Sequence, residues 1–304
     1  MKQLQYVAVL SKYGNFTRAA EEIGISQPAL SQYIKKIERE IGTPLFVRAG
    51  QNVRLTDAGQ VYLEIGQKML NLENEMDIRL SDILNDQTGT MRIGIAPYRC
   101  TSLMPGIIKE FHRSYPQIKI LISEQITTDL KKSAERGEVD LCVSTLPIDQ
   151  RKFQYKTVMQ ERTVLAIPKN ICSELAITAE PRSCISMVQL KKVPFISLPE
   201  TQIMGRKLVE IYKKCGIDPN ITVECQDLIA VRSMVKSGLG AAILPNSLVN
   251  ESSCSEVNYY YLKEAEEIRD IVVFYRKEQY LSKPMQKMIE ILTTIFKTER
   301  QTTL

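Results

Sequence analysis

The chain has 304 residues, with 40 Lys plus Arg against 35 Asp plus Glu, a formal net charge of +5, one His, seven Cys and no Trp. At 44% hydrophobic and 25% charged residues it has an ordinary globular composition, which excludes disordered, collagen-like and disulfide-scaffold classes, and its length suits about two domains. A charge of +5 is too small to establish nucleic-acid binding by itself.

Positive charge is concentrated at the front. Residues 1–56 carry eight basic and four acidic side chains, whereas residues 57–86 carry two basic and seven acidic. The opening apolar run, residues 7–10, is too short for a secretion signal, and no later stretch reaches the ~18 apolar residues of a membrane span. A cytoplasmic location without a membrane partner is expected.

Residues 16–37 read FTRAAEEIGISQPALSQYIKKI. Ala20, Gly24 and Leu30 fall at helix-turn-helix spacing: a small residue where two helices cross, a glycine able to take positive φ in the turn, and an aliphatic anchor. Ser26 is placed to cap the second helix, and Pro28 is tolerated in its first turn, where the missing N–H has no helical partner. Residues 27–38 therefore form the expected recognition helix. Leu30, Ile34 and Ile37 make its buried stripe, and Gln27, Ser31, Gln32, Lys35 and Lys36 point outward. Glutamine pairs with adenine through two hydrogen bonds, serine bonds base or phosphate, and lysine suits phosphate. Residues 44–56 hold two short apolar runs around Gly50 and read as a β-ribbon wing flanked by Arg48 and Arg54. Each piece alone is common, since many helices carry Ala and Gly at this spacing and a basic face is usually only solvated. Their conjunction carries the reading.

Apolar residues then recur at Tyr62, Ile65, Met69, Leu72, Met76, Leu80 and Ile83, the alternating three-and-four spacing of a coiled-coil seam. Thr56 and Asp57 suit the start of this helix. A single amphipathic helix packed on its own domain is the alternative; the length of the seam favours a dimerisation helix. After a linker at residues 87–90, β-rich runs (91–96, 118–124, 139–144) alternate with helical ones (103–114, 130–136), as in βαβ units with a mainly parallel sheet. A second set follows, with strands at 163–167, 195–198, 221–224 and 241–244 and helices at 205–214 and 228–237. The chain closes with a strand at 271–275 and a helix at 282–297. Neither a repeat nor a low-complexity segment is found.

The cysteines, at 100, 142, 172, 184, 215, 225 and 254, include no C-x-x-C pair, and their odd number cannot pair fully within one chain. They read as reduced thiols. With His112 alone, a zinc site would need several distant Cys, and His-based acid–base chemistry would rest on one side chain. No metal, cofactor or catalytic residue is assigned, and an enzyme is not expected.

The sequence resembles the LysR-type transcriptional regulators at Phe16-Thr17-Arg18-Ala19-Ala20, Ser26-Gln27-Pro28-Ala29-Leu30-Ser31, Ile37-Glu38, Leu45-Phe46-x-Arg48 and Leu55-Thr56-x-Ala58-Gly59. Further similar words stand at Gly137-Glu138-Val139-Asp140-Leu141 and Val235-Lys236-Ser237-Gly238-Leu239-Gly240-Ala241-Ala242-Ile243-Leu244-Pro245. The resemblance implies an N-terminal all-α winged helix-turn-helix plus linker helix, then a two-lobed α/β effector domain similar to periplasmic binding proteins. The expected domains are 1–58, the linker 59–88 and the effector domain 89–304, with lobe one at about 91–161 and 268–304 and lobe two at about 162–267. The implied DNA-binding set is Thr17, Arg18, Ser26, Gln27, Pro28, Ser31 and Gln32, beside Lys35, Lys36, Arg48 and Arg54. Relatives commonly carry Arg where Gln32 stands, a departure that bears on the operator bases rather than on DNA binding. The implied partners are a promoter inverted repeat in double-stranded DNA, a small-molecule effector, a second copy as homodimer or homotetramer, and RNA polymerase.

The family's effector is usually an organic anion held between the lobes. Free N–H groups and the positive dipole end at a helix start suit a carboxylate on physical grounds alone. The candidates are Tyr98, Arg99, Thr101 and Ser102 in one strand-to-helix turn, Thr145 at a strand end, and Thr201 and Gln202 in a second turn. Many relatives have Thr or Ser where Tyr98 stands, so a pocket partly filled by a phenol is expected. Arg99 pairs with an anion or is a solvated surface residue; Thr101 and Ser102 bind ligand or cap a helix.

Four rival readings stand beside this one. Redox sensing through Cys215 and Cys225 is the minority reading, because nothing beside them obviously lowers a thiol pKa. An enzyme would rest on Ser233-x-x-Lys236 or Gly238-x-Gly240, both lacking companion motifs and better read as helix packing and turn. A transport-type ligand-binding protein would lack the DNA-binding front, and a chromosome-coating protein would want more positive charge.

Overall fold

The computed structural model describes residues 2–50, 52–84, 88–177, 179–249, 256–265 and 267–299. Gln51 of the expected wing, Gln87 of the expected linker and Cys254 lie outside the described residues. The chain divides into two compact units, Met1–Asp86 and Gln87–Leu304.

In the first unit α1 (Lys2–Tyr13), α2 (Phe16–Ile23) and α3 (Gln27–Ile41) bury Val7, Leu10, Ala19, Ala20, Leu30, Ile34, Ile37 and Leu45 against one another. Asn15 caps α2 by accepting hydrogen bonds from the Thr17 and Arg18 amides. Gly24 ends it at φ 75°, left-handed backbone that a side chain would strain. Ser26 caps α3, its hydroxyl oxygen accepting from Ala29 N at 3.4 Å. β1 (Phe46–Ala49) and β2 (Asn52–Leu55) form an antiparallel ribbon, tied to the α1–α2 turn by Val53 N donating to Gly14 O. The Glu38 carboxylate fixes the approach to that ribbon by accepting from the Leu45 and Phe46 amides. α4 (Asp57–Leu84) follows as one helix of 28 residues, about 42 Å long at 1.5 Å per residue. Its start sits directly on the ribbon: a Cβ at Gly59 would stand 2.1 Å from Leu45 O.

The second unit opens with β3 (Gly89–Ile95), α5 (Pro97–Ser114), β4 (Ile118–Glu124), α6 (Thr127–Arg136) and β5 (Leu141–Thr145). β6 (Phe153–Pro168) leads to α7 (Lys169–Glu174), β7 (Cys184–Ile185), β8 (Phe195–Ser197), α8 (Ile203–Cys215), β9 (Ile221–Glu224), α9 (Leu228–Lys236) and β10 (Ala242–Pro245). β11 (Val257–Leu262), β12 (Ile268–Arg276) and α10 (Lys283–Glu299) complete it. The principal sheet runs β4-β3-β5-β12-β6-β11-β7, with β10 also on β6, and β8 pairs β9 separately.

The sheet is mixed, which corrects the expectation of mainly parallel pairing. β3 pairs β4 and β5 in parallel, but β12 is antiparallel to both β5 and β6, and β10 and β11 are antiparallel to β6. β12 brings residues 268–276 back beside residues 153–162, a pairing too distant in sequence for local alternation to reveal. β6 therefore does two jobs. Its first part pairs β12, beside a core that includes Ile93, Ile107, Phe111, Val273 and Leu292. Its last residues join a second core with Phe195, Leu208, Tyr212, Val231 and Tyr260. These cores are the centres of a two-lobed α/β domain, with β6 passing from one to the other. α5 begins at Pro97, six residues before the expected start, because proline is preorganised for the first helical position.

Candidate functional site

Two sets of polar groups stand out, one on each unit. On the first, α3 exposes Gln27, Pro28, Gln32, Lys35 and Lys36, with Ser31 half-buried between them, while Leu30, Ile34 and Ile37 anchor the opposite face. Thr17 and Arg18 are exposed on the first turn of α2. Ser26 is exposed as well, its side-chain oxygen engaged in the cap. Lys36 lies 3.9 Å from Glu40, an exposed pair of small energetic weight. Arg48 and Arg54 are both exposed on the ribbon. The register sets Arg48 opposite Val53 and Arg54 opposite Val47, so the two guanidinium groups leave opposite faces.

On α4, Ile65, Met69, Leu72, Met76, Leu80 and Ile83 are 49–74% exposed, an apolar seam that its own unit leaves uncovered. Tyr62 differs from the rest of the expected seam, for it packs against the core of the first unit.

The second set lies at the α5–β6 junction. Glu161, midway along β6, is 0% exposed, and its carboxylate gathers four donors. Arg99 Nη2 donates to Oε2 at 3.0 Å, Arg269 Nη2 at 2.9 Å and the Tyr98 hydroxyl at 3.2 Å, while Ser247 Oγ donates to Oε1 at 2.6 Å. Arg99 is 2% exposed, and its guanidinium carbon stands 4.6 Å from the Tyr98 ring centroid. The solvated-surface reading of Arg99 is thereby overturned: its side chain is buried, and Glu161 supplies the countercharge.

Burial alone would raise the Glu161 pKa, but Arg99, Arg269 and the Ser247 hydroxyl outweigh it and hold the carboxyl below its ordinary value. Burial likewise opposes the Arg99 charge, and Tyr98 and Glu161 more than restore it. Desolvation pushes the Tyr98 phenol up, so it stays a neutral donor. Tyr98 also packs against the core of the second lobe, so α5 of one lobe and the residues around Ser247 of the other meet on one carboxylate.

The remaining expected effector residues are more scattered. Thr101 and Ser102 are exposed and donate their hydroxyls back to Tyr98 O within α5, so neither caps the helix start. Thr145 is buried at the end of β5, opposite Ile271. Thr201 is exposed, and Gln202 precedes α8 with its amide donating to Gln226 O at 2.9 Å. Sequence reading did not single out Glu161, Ser247 or Arg269. Glu161 did carry one signal, a lone carboxylate at the head of the apolar run 163–167.

The thiols do not favour redox sensing. Burial pushes Cys100 up to about 11 and Cys142 up to about 12, and burial together with Glu264 raises Cys215. Cys225 donates to Asp227 O at 3.7 Å. Gly238 turns the chain at φ 83° just after α9, and a Cβ at Gly240 would stand 2.9 Å from Pro194 O, as turn and packing require. Among the described residues no helix is long and apolar enough to cross a membrane, and no group of three His, Cys, Asp or Glu is placed to hold a metal.

Residues 1–60 match the bacterial regulatory helix-turn-helix protein, lysR family, and residues 85–297 match the LysR substrate binding domain. The chain is 29% identical to an uncharacterized HTH-type transcriptional regulator, YcgK, of Bacillus subtilis (strain 168), covering 96% of this chain and 93% of that one. A probable RuBisCO transcriptional regulator of Porphyra purpurea is also 29% identical, covering 99% and 95%. Among solved structures, a point variant of full-length OxyR from Pseudomonas aeruginosa gives a TM-score of 0.68 at 26% identity, covering 96% of this chain and 92% of that one. The chain belongs to the LysR family of transcriptional regulators, with a helix-turn-helix DNA-binding domain followed by an effector-binding domain.

Proposed function

We propose that the protein acts in the cytoplasm as a homodimer, assembling further to a tetramer, on an interrupted inverted repeat within promoters. The observation that carries this reading is the pairing of an uncovered apolar seam on α4 with an uncovered polar face on α3 in one unit. A seam of this kind is satisfied by a second α4, and two-fold symmetry then presents two α3 helices to successive major grooves. Gln27, Pro28, Ser31 and Gln32 face the bases. Thr17, Arg18, Ser26, Lys35 and Lys36 meet sugar and phosphate. Arg48 and Arg54, leaving opposite faces of the ribbon, suit a wing lying edge-on with one guanidinium toward each strand.

In the effector domain, lobe one spans about 91–161 and 268–304 and lobe two about 162–267. A small organic anion bound near Tyr98, Arg99 and Thr145, with Thr101, Ser102, Thr201 and Gln202 at the rim, favours one lobe closure over another. That change alters how paired dimers sit on and bend the promoter, and with it the engagement of RNA polymerase. The protein performs no reaction of its own and needs no cofactor. Selection of sheared genomic DNA by the purified chain, followed by sequencing, tests the reading. A few enriched sites sharing an inverted repeat are expected, and uniform recovery of all sequences would reject it.

A further inference from the structure

A cavity of about 540 Å³ lies between the end of α5, the first part of β6 and the start of α10, beside the core that includes Phe111, Val158 and Ile289. Three ammonium groups line it, Lys156, Lys283 and Lys287, against one carboxylate, Glu290. Their convergence follows from the fold. Lys156 stands opposite Val273 in the β6–β12 register, so it leaves the sheet on the face whose apolar residues α5 and α10 cover. Lys283, Gln286, Lys287 and Glu290 fall three and four residues apart, on one stripe of α10. Lys156 comes five residues before Glu161, roughly 16 Å along an extended strand, and the cavity shares no lining residue with the Glu161 cluster.

The chemistry of the lining narrows the occupant. An ammonium is a compact point charge suited to phosphate oxygens, whereas a planar carboxylate is held best by the arginine fork, and no arginine is among the residues lining the cavity. Backbone amides add little: Pro284 has no N–H, and Met285 and Gln286 donate theirs to the Ser282 hydroxyl and carbonyl. Lys287 is 3.1 Å from Glu290, an exposed pair weak enough to be exchanged, and Lys156 forms no side-chain hydrogen bond or ion pair among the described residues. The remaining wall is apolar. Tyr115 is stacked on Phe111 with ring centroids 5.4 Å apart, which fixes its ring at the cavity, and Leu281 and Ile289 line the same space. Gln286 braces that wall by donating its side-chain amide to Leu281 O at 2.8 Å.

We propose that this cavity is a second ligand site, for a nucleoside diphosphate, with the phosphates among Lys156, Lys283 and Lys287 and the base against Tyr115. Three ammonium groups around one space suit adjacent phosphates better than a single anionic group, since each added negative charge meets a further cation. The aromatic and aliphatic wall gives a planar base a stacking surface that an inorganic phosphate cannot use. The volume falls within the range of small-molecule sites. This site is independent of the DNA and effector readings above.

Isothermal titration of the full chain with ADP, inorganic pyrophosphate and adenosine, free of divalent cations, tests the site. ADP should bind once per chain, pyrophosphate more weakly and adenosine not at all, and the ADP affinity should fall as salt is raised. Lys156→Gln, at an exposed position, should weaken ADP and pyrophosphate alike by about tenfold, with Lys156→Arg keeping part of the affinity. Tyr115→Leu should weaken ADP by about tenfold yet leave pyrophosphate unchanged, and Tyr115→Phe should bind both like the wild type. Lys35→Gln together with Lys36→Gln removes the competing cations of α3 and should leave ADP binding intact. Absence of ADP binding up to about 5 mM would overturn the proposal, as would an affinity unchanged in Lys156→Gln or abolished by the α3 pair. Pyrophosphate bound as tightly as ADP, with Tyr115→Leu without effect on either, would reject the nucleotide in favour of inorganic phosphates. Adenosine bound as tightly as ADP would reject the phosphate contacts.

Discussion

The α3 face and the α5–β6 junction both collect charged and polar side chains, yet they hold them in opposite states. On α3, Gln27, Gln32, Lys35 and Lys36 stand in water, on a helix anchored by the apolar stripe behind them. At the junction, Arg99 and Glu161 are almost wholly out of water and bound to each other. A surface that must meet a hydrated, highly charged polymer keeps its groups solvated, because desolvation falls due only on contact and released counterions offset it. Buried charges cannot wait in that way, and the chain itself supplies the countercharge: Glu161 accepts from both Arg99 and Arg269.

This contrast predicts where substitutions hurt. Glu161→Leu removes the shared partner of two guanidinium groups and should cost about 3–5 kcal/mol of stability, read as a lower urea midpoint for the effector unit. An effect below about 1 kcal/mol would mean that water already serves this junction, and the contrast would fail. Next in size, Met69→Asp together with Leu72→Asp places four charges in the proposed dimer seam and should yield monomers by light scattering, with the melting of the monomer scarcely changed because both side chains are exposed there. Persistent dimers would relocate the interface.

Acid gives a smaller and more specific signal. The Glu161 carboxyl lies below its ordinary 4.5 in the folded chain, so the stability it contributes is present in full above that value and lost as pH falls through the lower folded value. The stability difference between the wild type and Glu161→Gln should therefore be largest near neutrality and shrink on acidification below pH 4.5. Smallest of all, Arg54→Ala should lower the slope of log affinity against log salt by about 1, with no change in sequence preference and none in thermal stability.

The two regions were also unequally legible. Ala20, Gly24, Ser26 and Leu30 act within a dozen residues of each other, and the structure uses each in the way its chemistry suggests: close packing, left-handed turn, cap and anchor. The seam on α4 was similarly local, except that Tyr62 turns toward its own core. The junction was not. Glu161 meets partners 62, 86 and 108 residues away, and no spacing rule connects them. The first half of β6 was missed because residues 153–162 mix polar and apolar types where the pairing is with β12 rather than with a sequence neighbour. β11, reading VNYYYL, was overlooked for the same reason, since it is completed by antiparallel pairing to β6. The sequence leaves Arg99 open between pairing with an anion and standing solvated at the surface, because its sequence neighbours give no hint of a carboxylate.

The most direct test of the account is the binding of wild-type protein and Gln27→Ala to a selected repeat and to random DNA under one salt condition. The account predicts that Gln27→Ala lowers the ratio of specific to random affinity by about 10- to 100-fold while random binding stays nearly constant, as expected for a side chain that reads a base edge. Equal losses on both DNAs would contradict it, leaving α3 as a backbone-binding helix and the solvated face without a reading role.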